Sequence, residues 1–144
     1  MSDTYAQLNE LIEITRDGQR FYEHAADEVK DPRFKALFLD MAQAKNEVIR
    51  ALSVEVATEN EKPADGGTLL GKMRQMYADT KATLSSDESY TYVEQLEEAE
   101  DRILHAFEDA LQSQDPKVQA VAAEKLPQVR AAHDRMRNLK RDSH

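Results

Sequence analysis

Glu100 and His133 stand on the two helices of the second of two repeated helix–loop–helix units, and they are where this chain could do chemistry. Thr15 stands seven residues before Tyr22, and Glu100 stands seven before Phe107. Each unit then breaks at Asp-Pro, Asp31-Pro32 in the first and Asp115-Pro116 in the second, and restarts as another helix. Paired helices whose inward mid-helix positions carry carboxylate and imidazole are the construction of carboxylate-bridged di-metal bundles. Two divalent cations need one Glu from each of two helices and Glu-x-x-His from each of the other two. Here the mid-helix positions of the repeat hold Thr15 and Glu100 on one helix of each pair, and Lys45 with Val48 and Arg130 with His133 on the other. Only Glu100 and His133 are of ligand type, and Lys45 and Arg130 would repel cations. A di-iron centre of the usual kind is not expected.

The plainer reading of these positions is a buried polar seam of Thr15, Lys45, Glu100, Arg130 and His133. A charge inside a bundle is costly unless partnered, and its partners fix helix register. The sharper alternative is a single divalent ion, iron, manganese or zinc, on Glu100 and His133, with Glu97 or Asp101 as a third ligand. Asp17 and Glu13 lie one helical face away from Thr15 and are weak substitutes. His24 and His105 fall off the apolar stripes beside acids and read as exposed; the tyrosines and methionines read as core filling. No catalytic residue and no organic cofactor are expected.

Composition restricts the function classes. The 144 residues contain no cysteine, which excludes disulfides, thiolate catalysis and Cys-ligated metals. A net charge of −9 argues against nucleic acid. No apolar run approaches the roughly 18 residues that span a bilayer, and the polar start Met1-Ser2-Asp3-Thr4 has no secretory core, so a cytoplasmic protein is expected. From Asp87 to Ser113 nine acids face Arg102 alone, whereas seven bases follow from Lys117 onward. Consecutive helices of opposite sign read as neighbours that attract, with the bases also suiting a helix C-terminus.

The elements that must position the seam follow from apolar periodicity. Helices are expected at about 4–30, 32–58, 68–84, 87–113 and 116–141, in a single domain over 1–144. Thr4-x-x-Gln7 and Ser85-Ser86-Asp87-Glu88 are capping boxes, and Asp31-Pro32 and Asp115-Pro116 each place a cap before proline at the first helical position. Pro63 and Gly66-Gly67 mark a long loop. Pro127 sits inside the last helix, and Pro116 to His133 is 17 residues where Pro32 to Val48 is 16, so a one-residue bulge is expected there. Two short-looped antiparallel helix pairs joined by one long crossover, which carries the 68–84 helix, define an all-α ferritin-like four-helix bundle.

The seven-residue spacing to an aromatic residue resembles ferritins and rubrerythrins, and Met41-Ala42-x-x-Lys45-x-x-Val48 is similar to the rubrerythrin phrase Leu-Ala-x-x-Glu-x-x-His with both ligands replaced. Leu11-Ile12-Glu13 with Asp17-Gly18 and Tyr22, then Gly71…Tyr77…Lys81, Glu100-Asp101 before Ala110-Leu111, and Ala132-His133-Asp134 resemble an uncharacterised bacterial ferritin-like four-helix-bundle family, a domain of unknown function. Arg74-Gln75 and Tyr77 depart from that family's His-Arg and Trp, so a role for that histidine does not carry over. The resemblance implies a bacterial bundle and brings no established activity. Three expectations result. The first is a scaffold or stress-related accessory protein, without an intact di-iron centre, acting on an unidentified protein partner. The second is a metal-binding or redox protein. The third is an assembly subunit, a homodimer made through the 68–84 helix or an exposed apolar face and broken by substitution of Met73 or Tyr77.

Overall fold

The computed structural model describes residues 2–57 and 88–142. They form four long helices and, among the described residues, no strand: α1 (Ser2–Glu28), α2 (Pro32–Ala57), α3 (Glu88–Ala110) and α4 (Pro116–Asp142). The expected loop at 60–67 and helix at 68–84 lie outside the described residues. Among these residues no helix is long and apolar enough to cross a membrane.

The Asp-Pro breaks work as caps. The Asp31 Oδ1 accepts the Arg33 N–H at 2.9 Å, and the Asp115 Oδ1 accepts those of Lys117 at 2.9 Å and Val118 at 3.4 Å, satisfying donors that a helix start leaves bare. Thr4 and Gln7 do something other than cap their own helix. α1 already begins at Ser2, so the Thr4 hydroxyl is released to donate to Asp115 Oδ2, while Gln7 Oε1 accepts from Ser113 Oγ at 2.7 Å. The start of α1 is thereby tied to the α3–α4 connection. α3 stops three residues earlier than 113 because its end tightens: Leu111, Gln112 and Ser113 all donate to carbonyls three residues back.

Packing divides the core into two apolar clusters, and all four helices contribute to each. One gathers Phe21 to Ala26 of α1 with Val29 just past its end, Phe34 to Ala42 of α2, Tyr92 to Ala99 of α3, and Ala132 and Met136 of α4. The other gathers Leu8 to Ile12, Val48 to Val56, Ile103 to Phe107 and Val118 to Val129. Between these levels lie Thr15, Lys45 and Glu100, all buried. The opposite charges of α3 and α4 meet as expected, Lys140 with Glu97 and Arg130 with Glu108, each at 3.1 Å. Lys117–Glu55 and Arg135–Asp40 join α4 to α2.

Pro127 does not interrupt α4, which is α-helical from Pro116 to Asp142, and the expected bulge is absent. Proline costs a helix one N–H donor, but Ala123, whose carbonyl loses it, is exposed and can be hydrated instead.

Candidate functional site

The polar level between the two apolar clusters is closed by a buried ion pair. Lys45 on α2 places its Nζ 2.6 Å from Oε1 of Glu100 on α3, with both side chains almost wholly inaccessible to water. The other carboxylate oxygen accepts from the Tyr22 hydroxyl of α1 at 2.5 Å. Tyr22 also covers the cation, with Lys45 Nζ 5.9 Å from its ring centroid. Burial, then the Glu100 charge and hydrogen bond, push the Tyr22 phenol well above its ordinary pKa, so it stays a neutral donor. Every oxygen of Glu100 therefore has a charged or hydroxyl partner inside the protein. That satisfaction is what a buried charge requires.

Gly18 leaves room for Ile103 beside the pair. A Cβ at Gly18 would stand 2.7 Å from Ile103 Cδ1 and 3.8 Å from Lys45 Cε, so α1 approaches α3 closely at the level of the pair. Beside it lies a cleft of about 120 Å³ lined by Thr15, Lys45, Val48, Ile103, Val129 and Ala132.

Of the residues expected on one seam, Lys45 and Glu100 form the pair and the other three stand apart from it. Thr15 is buried, but its hydroxyl donates to the Leu11 carbonyl one turn back at 2.7 Å and does not join the ion pair. Arg130 is not part of a buried seam. The inward face of α4 carries Val129, Ala132, His133 and Met136, so Arg130 is turned outward and pairs with Glu108 with its side chain 51% exposed. His133 is buried, yet among the described residues no hydrogen bond or ion pair joins it to Glu100.

His133 instead anchors a second cluster, at the edge of α3 and α4. Its Nε2 lies 3.3 Å from Asp101 Oδ1 and 3.8 Å from Glu97 Oε2, and its Nδ1 lies 3.2 Å from Asp134 Oδ1. The ligand atoms of Glu97, Asp101 and His133 all fall within 4.8 Å of one another. Glu97 is largely buried and Asp101 is half exposed, so the cluster opens to solvent on one side. His105 is exposed, as expected, with Nδ1 3.6 Å from the other Asp101 oxygen. His24 is exposed as well.

Two groups carry more here than their sequence suggested. Tyr22, read as core filling, is the third member of the ion-pair cluster. Asp17, set aside as lying off the inward face, is fully buried. The sequence signals were the seven-residue spacing of Tyr22 from Thr15 and the family phrase that holds both Asp17 and Tyr22.

The di-metal centre implied by the ferritin resemblance does not fit these residues. An ammonium occupies a ligand position and holds the Glu100 carboxylate. In a comparison with known families, residues 3–113 fit the family described as Domain of unknown function (DUF2383), and the chain belongs to that family. The matched stretch includes Tyr22, Lys45, Glu97, Glu100 and Asp101 and stops before His133. Comparison with curated proteins finds no match.

Proposed function

We propose that this DUF2383 chain is a ferritin-like four-helix bundle in which an ion pair takes the place of metals, and that it serves as a scaffold or stress-related accessory protein in the bacterial cytoplasm through protein contacts, with another protein or a second copy of itself. Support for the topology comes from the core clusters. The C-terminal halves of α1 and α4 share one cluster with the N-terminal halves of α2 and α3. That is the arrangement expected of two antiparallel helix pairs joined by one long crossover.

The observation that carries the proposal is the Lys45–Glu100–Tyr22 cluster. A divalent cation about 4 Å from the Lys45 ammonium would be repelled by about 8 kcal/mol at an effective dielectric of about 20. Glu100 would also have to leave two good hydrogen bonds to reach it. Such a level suits register and stability better than oxygen or iron chemistry.

Ferrous iron added aerobically to the purified chain, two ions per chain, checks this. The expected result is oxidation at the rate of buffer alone. Protein-dependent acceleration that disappears in Glu100→Gln would overturn the proposal.

A further inference from the structure

We propose that Glu97, Asp101 and His133 form a mononuclear site for a first-row divalent cation such as Zn²⁺, at the α3–α4 edge and separate from the internal ion pair. It goes beyond the scaffold reading and does not depend on it.

Geometry is the first argument. Zinc bonds of about 2.0–2.1 Å in a tetrahedron place neighbouring ligand atoms about 3.4 Å apart. The Nε2 to Oδ1 and Nε2 to Oε2 separations are 3.3 and 3.8 Å and all three ligand atoms lie within 4.8 Å of one another, so a cation could enter as the side chains draw together. Glu97 and Asp101 are four residues apart on α3 and therefore share a face, and His133 reaches them from α4.

The second argument is how the remaining atoms are engaged. Glu97 gives its other oxygen to Lys140 at 3.1 Å, Asp101 turns its other oxygen to His105 at 3.6 Å, and His133 sets Nδ1 against Asp134 at 3.2 Å. Each member thus has one atom held from outside and one aimed inward. A carboxylate on the distal ring nitrogen is the usual way a metal-ligating histidine is oriented, because it keeps the proton there and leaves the other lone pair free. His133 is 6% exposed, so its orientation is fixed by packing.

The third argument is charge. Two carboxylate oxygens converge on one ring nitrogen, and a single N–H can be directed well at only one of them. A cation serves both. Two carboxylates and a neutral imidazole neutralise a dication. The Lys140 ammonium on Glu97 is partly exposed and so screened by solvent, where that of Lys45 is not. The half-exposed side at Asp101 leaves a path for entry and a place for water as the fourth ligand.

The test uses the full chain, stripped by chelator and dialysed. Zn²⁺ is titrated by calorimetry, and Co²⁺ by its visible absorption, which reports coordination number. One ion per chain is expected, with Asp101→Asn and Glu97→Gln each weakening binding at least about tenfold and His133→Gln abolishing it. Asp109→Asn, on the exposed side of the same helix, should bind as wild type. His133 is buried and its variant could misfold, so the half-exposed Asp101 provides the decisive comparison. Absence of saturable binding below about 100 μM would overturn the site. So would binding that Asp101→Asn and Glu97→Gln leave unchanged, which would assign the ion to other groups such as the terminal His144. Iron oxidation and zinc binding are read separately, so either proposal can fail alone.

Discussion

Lys45 and Glu100 form a buried pair whose members depend on each other. Lys45→Met leaves Glu100 charged with only the Tyr22 hydroxyl, and Glu100→Gln leaves the ammonium without its counter-charge. Each single change should lower unfolding stability by about 3–5 kcal/mol. The double variant keeps a neutral acceptor for Tyr22 and removes both charges, so its loss should be well below the sum of the two single losses. Urea unfolding followed by circular dichroism measures all three, and additive losses would mean that the charges are not coupled. Gly18 offers a second check on the same level. Gly18→Ala gains about 1 kcal/mol of helix propensity but presses on the Ile103 δ-methyl. Ile103 borders the cleft and has somewhere to move, so the net change should stay within about 1 kcal/mol. Gly18→Leu has no such outlet and should destabilise strongly in the same assay.

The elements depend on their Asp-Pro starts, and these respond to acid. The Thr4 hydroxyl, followed by the N–H groups of Lys117 and Val118, holds the Asp115 carboxyl below the usual carboxylate range. The Arg33 side chain and then its N–H do the same for Asp31. A depressed carboxylate adds stability that is complete above its unfolded pKa of about 3.9 and lost as pH falls through the lower folded value. Wild type should therefore lose more stability between pH 6 and pH 2 than Asp115→Asn, which can still cap but cannot titrate. Thermal melts of both proteins at both pH values decide this, and equal losses would remove Asp115 from the acid response. α4 has a different weakness at Pro127. Its position is exposed and its backbone already helical, so Pro127→Ala restores a helical hydrogen bond without a new contact. The variant should gain about 1 kcal/mol or more by chemical unfolding, whereas a loss would show that the ring itself packs usefully.

At the scale of the whole molecule, each apolar cluster takes residues from all four helices. Neither helix pair keeps a core of its own, and the Lys45–Glu100 bond runs from one pair to the other. Unfolding should therefore be a single transition, with helicity by far-UV and tyrosine environment by near-UV circular dichroism lost at the same denaturant concentration. Two separated transitions would mean that the pairs fold independently. The ion pairs on the outside contribute little to this cooperativity, since exposed pairs are worth less than about 1 kcal/mol each. The polar level contributes specificity more than strength: it allows the two apolar clusters to meet in only one register.

How much of this could be read beforehand depends on how local the physics is. Apolar residues at 3.6-residue spacing and the two Asp-Pro breaks are properties of neighbouring residues, and they determined four helices with starts and ends within a few residues of those observed. The shortage of ligands was also decided there, since Lys45 and Val48 stand in the sequence whatever the fold does. What the sequence could not decide is which polar group answers which across helices. Glu100 meets Lys45 from 55 positions away and Tyr22 from 78, and Thr4 reaches Asp115 across 111. Those meetings, like the outward turn of Arg130 and the separation of His133 from Glu100, depend on the rotation and axial offset of each helix. Both are settled only when the four apolar faces pack together, because a shift of one residue along a helix turns every side chain by about 100°.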